Sequence, residues 1–116
     1  MKNEEHNLQV ACINWVRMQY PGVFIFAIPN GGARDVVTGA LMKAEGVVAG
    51  VPDLFLAEAH GKWHGLFIEM KTTKGKLSDR QRAVIEVLRG KGYLTAVCRS
   101  FEDFRQVCTE YINNKL

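Results

Sequence analysis

Three ionisable residues are spaced to do chemistry together: Asp53, Glu69 and Lys71. Side chains alternate along a strand, so Glu69 and Lys71 share one face while Ile68 and Met70 share the other. Asp53 follows Pro52 and heads the apolar run Leu54-Phe55-Leu56. The midpoint between Asp53 and Glu69 is Gly61. A hairpin turning there makes the two acids cross-strand neighbours, roughly 5 Å apart. Two carboxylates that close repel unless a cation or a proton lies between them. A hard divalent ion suits them: Mg²⁺ takes one or two carboxylates, keeps several waters and engages a substrate phosphate. Such an ion polarises a scissile phosphate and lowers the pKa of a bound water. Lys71 alongside would orient or activate that water and counter charge building on phosphorus. The plain alternative is an exposed Glu-x-Lys pair and a loop aspartate. Against it, both acids border very apolar runs, where charges more often line a cleft than a flat surface.

Other residues carry weaker signals. Glu5 lies one turn before Leu8, beside the apolar face of the first helix, with Gln9 as its i+4 neighbour; a first-turn carboxylate is also favoured by the helix dipole alone. Ser78-Asp79-Arg80-Gln81 is a capping-box sequence, in which Gln81 reaches back to the Ser78 amide; Gln81 alternatively points into the site. Asn30, Gly31, Gly32 and Arg34 form a loop whose backbone can approach a phosphate, or simply a tight turn. It lacks the Lys-Ser or Lys-Thr ending of a nucleotide-binding P-loop. Lys74 and Lys76 put positive charge just beyond Lys71, where a DNA backbone would pass, or else a solvated loop. His60 and His64 read as turn residues and not as zinc ligands.

These residues must be positioned by a fold. A helix is predicted from Glu4 to Gln19, capped by Asn3, with Leu8, Cys12, Trp15 and Gln19 on one face and Ala11 and Val16 at its edges. Val23 to Ile28 reads as a strand buried on both faces. A short helix follows from Thr38 to Glu45, stopped by Gly46. Val51 to Ala57 and Trp63 to Lys71 are strands, and Thr72 to Leu77 is a basic loop. A helix runs from Ser78 to Arg89, a strand from Tyr93 to Arg99, and a last helix capped by Ser100 puts Phe101, Phe104, Cys108 and Tyr111 on one face. The order α-β-α-β-β-α-β-α, with a hairpin and then a helical crossover, implies an α/β fold with a mixed β-sheet flanked by helices.

The 116 residues are expected to form one domain, 1–116, and 47 % apolar residues suffice for one core. The net charge of +3 tolerates a nucleic-acid partner without demanding one. Cys12, Cys98 and Cys108 are odd in number and far apart, as expected of reduced, mostly buried thiols in a cytosolic protein. No signal peptide is visible, and the longest apolar run is too short to span a bilayer, so no membrane role is expected.

Taken in order, Glu5-x-x-x-Gln9, Pro29-Asn30-Gly31-Gly32-x-Arg34, Gly46-Val47-x-x-Gly50-Val51-Pro52-Asp53, Glu69-Met70-Lys71 and Ser78-x-x-Gln81 closely resemble the VRR-NUC family (virus-type replication and repair nucleases) of the PD-(D/E)XK superfamily. The resemblance covers nearly the whole chain. It implies a restriction-endonuclease-like core and hydrolysis of DNA phosphodiester bonds with Mg²⁺ or Mn²⁺. By matching position it implies Asp53 and Glu69 as metal ligands, the Met70 carbonyl as a completing ligand, and Lys71 as the catalytic lysine. It also implies site roles for Gln81 and for Glu5, the latter through metal or water. Short stand-alone members often occur in phages and look like homodimers acting on branched DNA such as four-way (Holliday) junctions. A phage-encoded member would work in the bacterial host cytoplasm. Flaps, nicked or duplex DNA are alternative substrates, and a non-catalytic DNA-binding or assembly subunit is the alternative role.

Overall fold

The computed structural model describes residues 2–29 and 36–116. Among the described residues eight elements follow in the expected order: α1 (Lys2–Gln19), β1 (Ile25–Ala27), α2 (Val36–Ala44), β2 (Leu54–Leu56), β3 (Gly65–Met70), α3 (Asp79–Gly90), β4 (Tyr93–Cys98) and α4 (Phe101–Ile112). The four strands form one mixed sheet in the order β1-β2-β3-β4. β1 pairs antiparallel with β2, and β2 antiparallel with β3. α3 then carries the chain across so that β4 lies parallel to β3, as a helical crossover requires.

The core lies on one sheet face. Leu54, Leu56, Leu66, Ile68, Met70 and Cys98 alternate inward from their strands and meet Cys12 and Val16 of α1 and Phe104, Cys108 and Tyr111 of α4. All three cysteines are free and buried. Burial pushes the Cys12 thiol up to about 11 and Cys98 up to about 12, so neither is a ready nucleophile. Among the described residues no helix is long and apolar enough to cross a membrane.

The opposite face carries a row of rings. The register places Phe26 beside Phe55 and Phe55 beside Phe67. The Phe55 and Phe67 rings stack with centroids 4.4 Å apart. Gly65 makes room for this: a Cβ there would come within 2.7 Å of the Phe55 ring.

Several local expectations are corrected. The first strand is not buried on both faces: Phe24 is 65 % exposed and Phe26 half-buried. β1 is an edge strand, and its Ile25 alone joins the buried core. Asn3 lies inside α1 and not before it. The buried centre of α1 is Cys12 and Val16, one turn apart, flanked by Leu8, Ile13 and Trp15, whereas Gln19 is exposed. The regular strands are shorter than the apolar runs that flag them, although single backbone hydrogen bonds, Ile28 N–H to Asp53 O and Ala57 N–H to Phe24 O, extend the β1–β2 pairing at each end.

Candidate active site

The site sits where β2 enters and β3 leaves the sheet. The register ends at Leu54↔Ile68 and sets Asp53 next to Glu69 one step beyond, although the turn, closed by the His60–Trp63 bridge, is centred between Gly61 and Lys62. Asp53 is gripped through two groups. Its carbonyl accepts the Ile28 N–H at 2.7 Å, and its Oδ2 accepts the Met70 N–H at 2.8 Å. Ile68 and Met70 point into the core, so Glu69 and Lys71 emerge together on the opposite face. The Asp53 and Glu69 carboxyls lie within hydrogen-bonding reach of each other. Lys71 Nζ is 3.7 Å from Glu69 Oε2.

Burial sets the electrostatics. Glu69 is only 3 % exposed. Its pKa is pushed up to about 8, first by burial and then by the neighbouring Asp53 charge; Lys71 pulls it back, and Glu5 adds a smaller upward push. Burial also raises Asp53, opposed by the Met70 amide and by Lys71. Without a cation, this pair holds a proton that ordinary carboxylates would have lost by neutral pH. Once that proton is lost, two partly dry carboxylates face one ammonium and leave surplus negative charge, and an oxygen-only donor set of this kind fits a hard divalent ion. Among the described residues no three His, Cys, Asp or Glu side chains converge as a ready-made cation cage. Glu5 therefore stands outside the immediate pair, close enough to act on Glu69 through space.

Gln81 makes both of the contacts its position allows. Its Oε1 accepts the Ser78 N–H at 2.9 Å while Ser78 Oγ accepts the Gln81 N–H at 3.0 Å, which completes the capping box of α3. Its Nε2 donates to Glu69 Oε2 at 3.1 Å. The start of α3 is thereby tied to the acid on β3. The same turn of helix receives the segment leading to Asp53. Gly50 has φ +91°, and a Cβ there would come within 3.1 Å of the Arg80 backbone. Arg80 Nε also donates to the Ala49 carbonyl at 3.2 Å.

The remaining sequence candidates fall around this centre or elsewhere. Lys74 and Lys76 are exposed on the loop that follows Lys71. Asn30, Gly31, Gly32 and Arg34, expected as a phosphate cradle, lie outside the described residues. His60 forms a bridge with Trp63 in the hairpin turn, and His64 lies by Gly92 and Tyr93 at the same end of the sheet, away from the acids. Sequence alone does not single out Arg99, whose guanidinium donates to the carbonyls of Thr72 and Gly75 beside Lys71. An arginine between a core strand and a capping serine is the only signal, and it is a weak one.

The VRR-NUC domain model matches residues 1–102 of this chain. A solved structure described as a VRR_NUC domain protein superposes with a TM-score of 0.82 at 29 % sequence identity, covering 95 % of this chain and 88 % of that one. No curated protein matches the chain. The matched region contains β2, β3 and the start of α3, the elements that bring Asp53, Glu69, Lys71 and Gln81 together. The chain belongs to the VRR-NUC domain family, and its function is of the nuclease type.

Proposed function

We propose that this protein is a metal-dependent endodeoxyribonuclease that hydrolyses phosphodiester bonds, selective for branched DNA such as four-way junctions. The observation that carries the reading is buried Glu69 beside half-buried Asp53, with Lys71 3.7 Å from Glu69, in a chain of a nuclease family. Asp53, Glu69 and the Met70 carbonyl would hold Mg²⁺ or Mn²⁺, with Glu5 contributing through water. When bound, the ion supplies Lewis-acid activation of phosphate and water.

The chain's own residues do the rest. The Met70 amide and Gln81 Nε2 fix one oxygen of each acid, so the other oxygens are aimed without reorganisation. Lys71 Nζ orients the attacking water and stabilises charge on the phosphate as it becomes five-coordinate. The exposed Lys74 and Lys76, together with Asn30, Gly31, Gly32 and Arg34, would follow the DNA backbone. One small domain offers one such centre, so cutting paired strands of a junction calls for a homodimer. The site of action would be the cytoplasm, that of the bacterial host if the protein is phage-encoded.

The test is cleavage of a labelled four-way junction and its matching linear duplex by wild type and Glu69→Ala, each with Mn²⁺, Mg²⁺ or EDTA. Metal-dependent cutting of the junction by wild type alone is expected. Equal cutting of both DNAs would keep the nuclease and remove the junction preference. DNA binding by folded wild type with no cutting of junction, flap, nicked or duplex DNA would favour a binding subunit. Sedimentation of the free protein tests the dimer.

A further inference from the structure

Lys71 directly follows β3 on its site face, and its stem lies under a turn. Its own N–H donates to the Cys98 carbonyl at 3.0 Å, extending the β3–β4 pairing. The chain then folds back: the Gly75 N–H donates to the Thr72 carbonyl at 3.1 Å. The turn closes so tightly that a Cβ on Gly75 would come 3.4 Å from Lys71 Cδ and 3.2 Å from Thr72 Oγ1. The Lys71 side chain is left 16 % exposed, well below what a solvated lysine shows.

Arg99 holds this turn shut. Its Nη1 donates to the Thr72 carbonyl at 3.0 Å and also to the Gly75 carbonyl, so one guanidinium nitrogen spans both ends of the turn. Arg99 is itself fixed at the junction of β4 and α4. Its N–H donates to Asp103 Oδ2 at 3.0 Å, and the Asp103 N–H donates to Ser100 Oγ at 3.0 Å. A planar, permanently charged donor suits this task because two carbonyl oxygens are met from one rigid group.

We propose that Arg99 is a positioning residue for Lys71: it clamps the Thr72–Gly75 turn over the lysine stem and so holds the ammonium at Glu69. The role in catalysis rests on the nuclease reading; the clamp itself does not. Loss of the clamp frees the lysine to swing, and a displacement of about 1 Å at a reacting group costs on the order of 100-fold in rate.

The test uses Arg99→Met and Arg99→Lys in the full chain, with two readouts. Nuclear magnetic relaxation of the lysine Cε groups is expected to show Lys71 as rigid in wild type, unlike Lys74 and Lys76, and as mobile as those two in Arg99→Met. Single-turnover cleavage is expected to fall by about 10- to 100-fold in Arg99→Met with KM within twofold of wild type, and by less in Arg99→Lys. If Arg99→Met does not fold, Arg99→Lys carries the same comparison, since it keeps the charge but its ammonium ends one bond short of the Nη1 position that meets both carbonyls. A Lys71 as rigid in the variants as in wild type overturns the proposal. So does a rise in KM with kcat unchanged, which would make Arg99 a DNA contact. Absence of cleavage by wild type, with Lys71 still losing its order in Arg99→Met, would sink the nuclease reading and uphold the clamp.

Discussion

The two ends of the β2–β3 hairpin are built from similar polar groups and behave differently. At the turn end, His60 Nε2 lies 2.7 Å from Glu58 Oε1 and Nδ1 lies 3.0 Å from Asn114 Oδ1. The Tyr111 hydroxyl donates to the Glu58 carbonyl at 2.7 Å and its ring meets the His60 ring edge-on. One carboxylate faces one imidazole, and each ring nitrogen has one partner. The group fastens the end of α4 and the segment after it to the hairpin. At the open end, two carboxylates face one lysine, both acids are raised, and Glu69 is almost wholly buried. Balanced polar groups at a surface are fastenings. An unbalanced set of like charges in a dry place costs stability, and a fold tolerates it where a ligand restores the balance.

The two ends of the hairpin are expected to differ most in cleavage. Lys71→Ala and Glu69→Ala are each expected to lower cleavage by at least about 1,000-fold with the fold intact by circular dichroism. His60→Ala is expected to leave cleavage within a few-fold and to cost roughly 1 kcal/mol in urea unfolding. Cleavage by either open-end variant at near wild-type rate would erase the distinction, as would its collapse in His60→Ala.

The next largest effect is on stability against pH. The folded Glu69 keeps its proton up to about 8, whereas the unfolded carboxyl loses it near 4.5. Between those values the folded state holds more protons, so stability falls as pH rises through that window. In EDTA the thermal midpoint of wild type, taken relative to Glu69→Gln, is expected to drop steadily from pH 5 to pH 8.5. Mg²⁺ or Mn²⁺ at millimolar concentration should recover the loss at high pH and do little at pH 5, because cation and proton compete for the same pair. A flat difference curve would mean that the open end is as balanced as the turn end.

Gln81 separates positioning from helix capping. Glutamate serves a capping box as well as glutamine. Gln81→Glu should therefore keep the stability of α3 while replacing the donor to Glu69 with another carboxylate. A loss of cleavage of about tenfold or more is expected, with the helix content unchanged by circular dichroism at pH 6 in Mg²⁺. Unaltered cleavage would make the Glu69 contact incidental to the cap.

Much of this site is legible in the sequence because it rests on short-range rules. Strand alternation puts Glu69 with Lys71, and the arithmetic of a hairpin about Gly61 pairs Asp53 with Glu69. The capping box of α3 depends on four consecutive residues. What was not legible depends on distant main chain. Arg99 acts on carbonyls 24 and 27 residues away, and Asn114 meets His60 across 54 residues. No local pattern encodes either contact. The two-sided burial expected of Val23–Ile28 fails for a related reason: apolar content does not say which strand lies at the edge.

The smallest expected effect tests whether an unmatched polar group is enough to mark function. Thr95 on β4 is 7 % exposed, and its Oγ1 is buried with no hydrogen-bond partner. It pairs with Phe67, two residues before Glu69, on the site face of the sheet. It is thus an unmatched donor on the same face as the two acids, yet it is neutral and, among the described residues, the one buried side-chain polar atom without a partner. Thr95→Val keeps the shape and removes the unsatisfied hydroxyl, so it should be neutral or stabilising by up to about 1 kcal/mol, with cleavage unchanged. Denaturant unfolding and junction cleavage of the same preparation measure both. A stabilised variant that still cuts would place the boundary of the site at Glu69 and show that convergent charge, not isolated dissatisfaction, distinguishes the open end of the hairpin. A stabilised variant that no longer cuts would extend the site inward to Thr95, and its buried hydroxyl would then be a group held in reserve for the bound state.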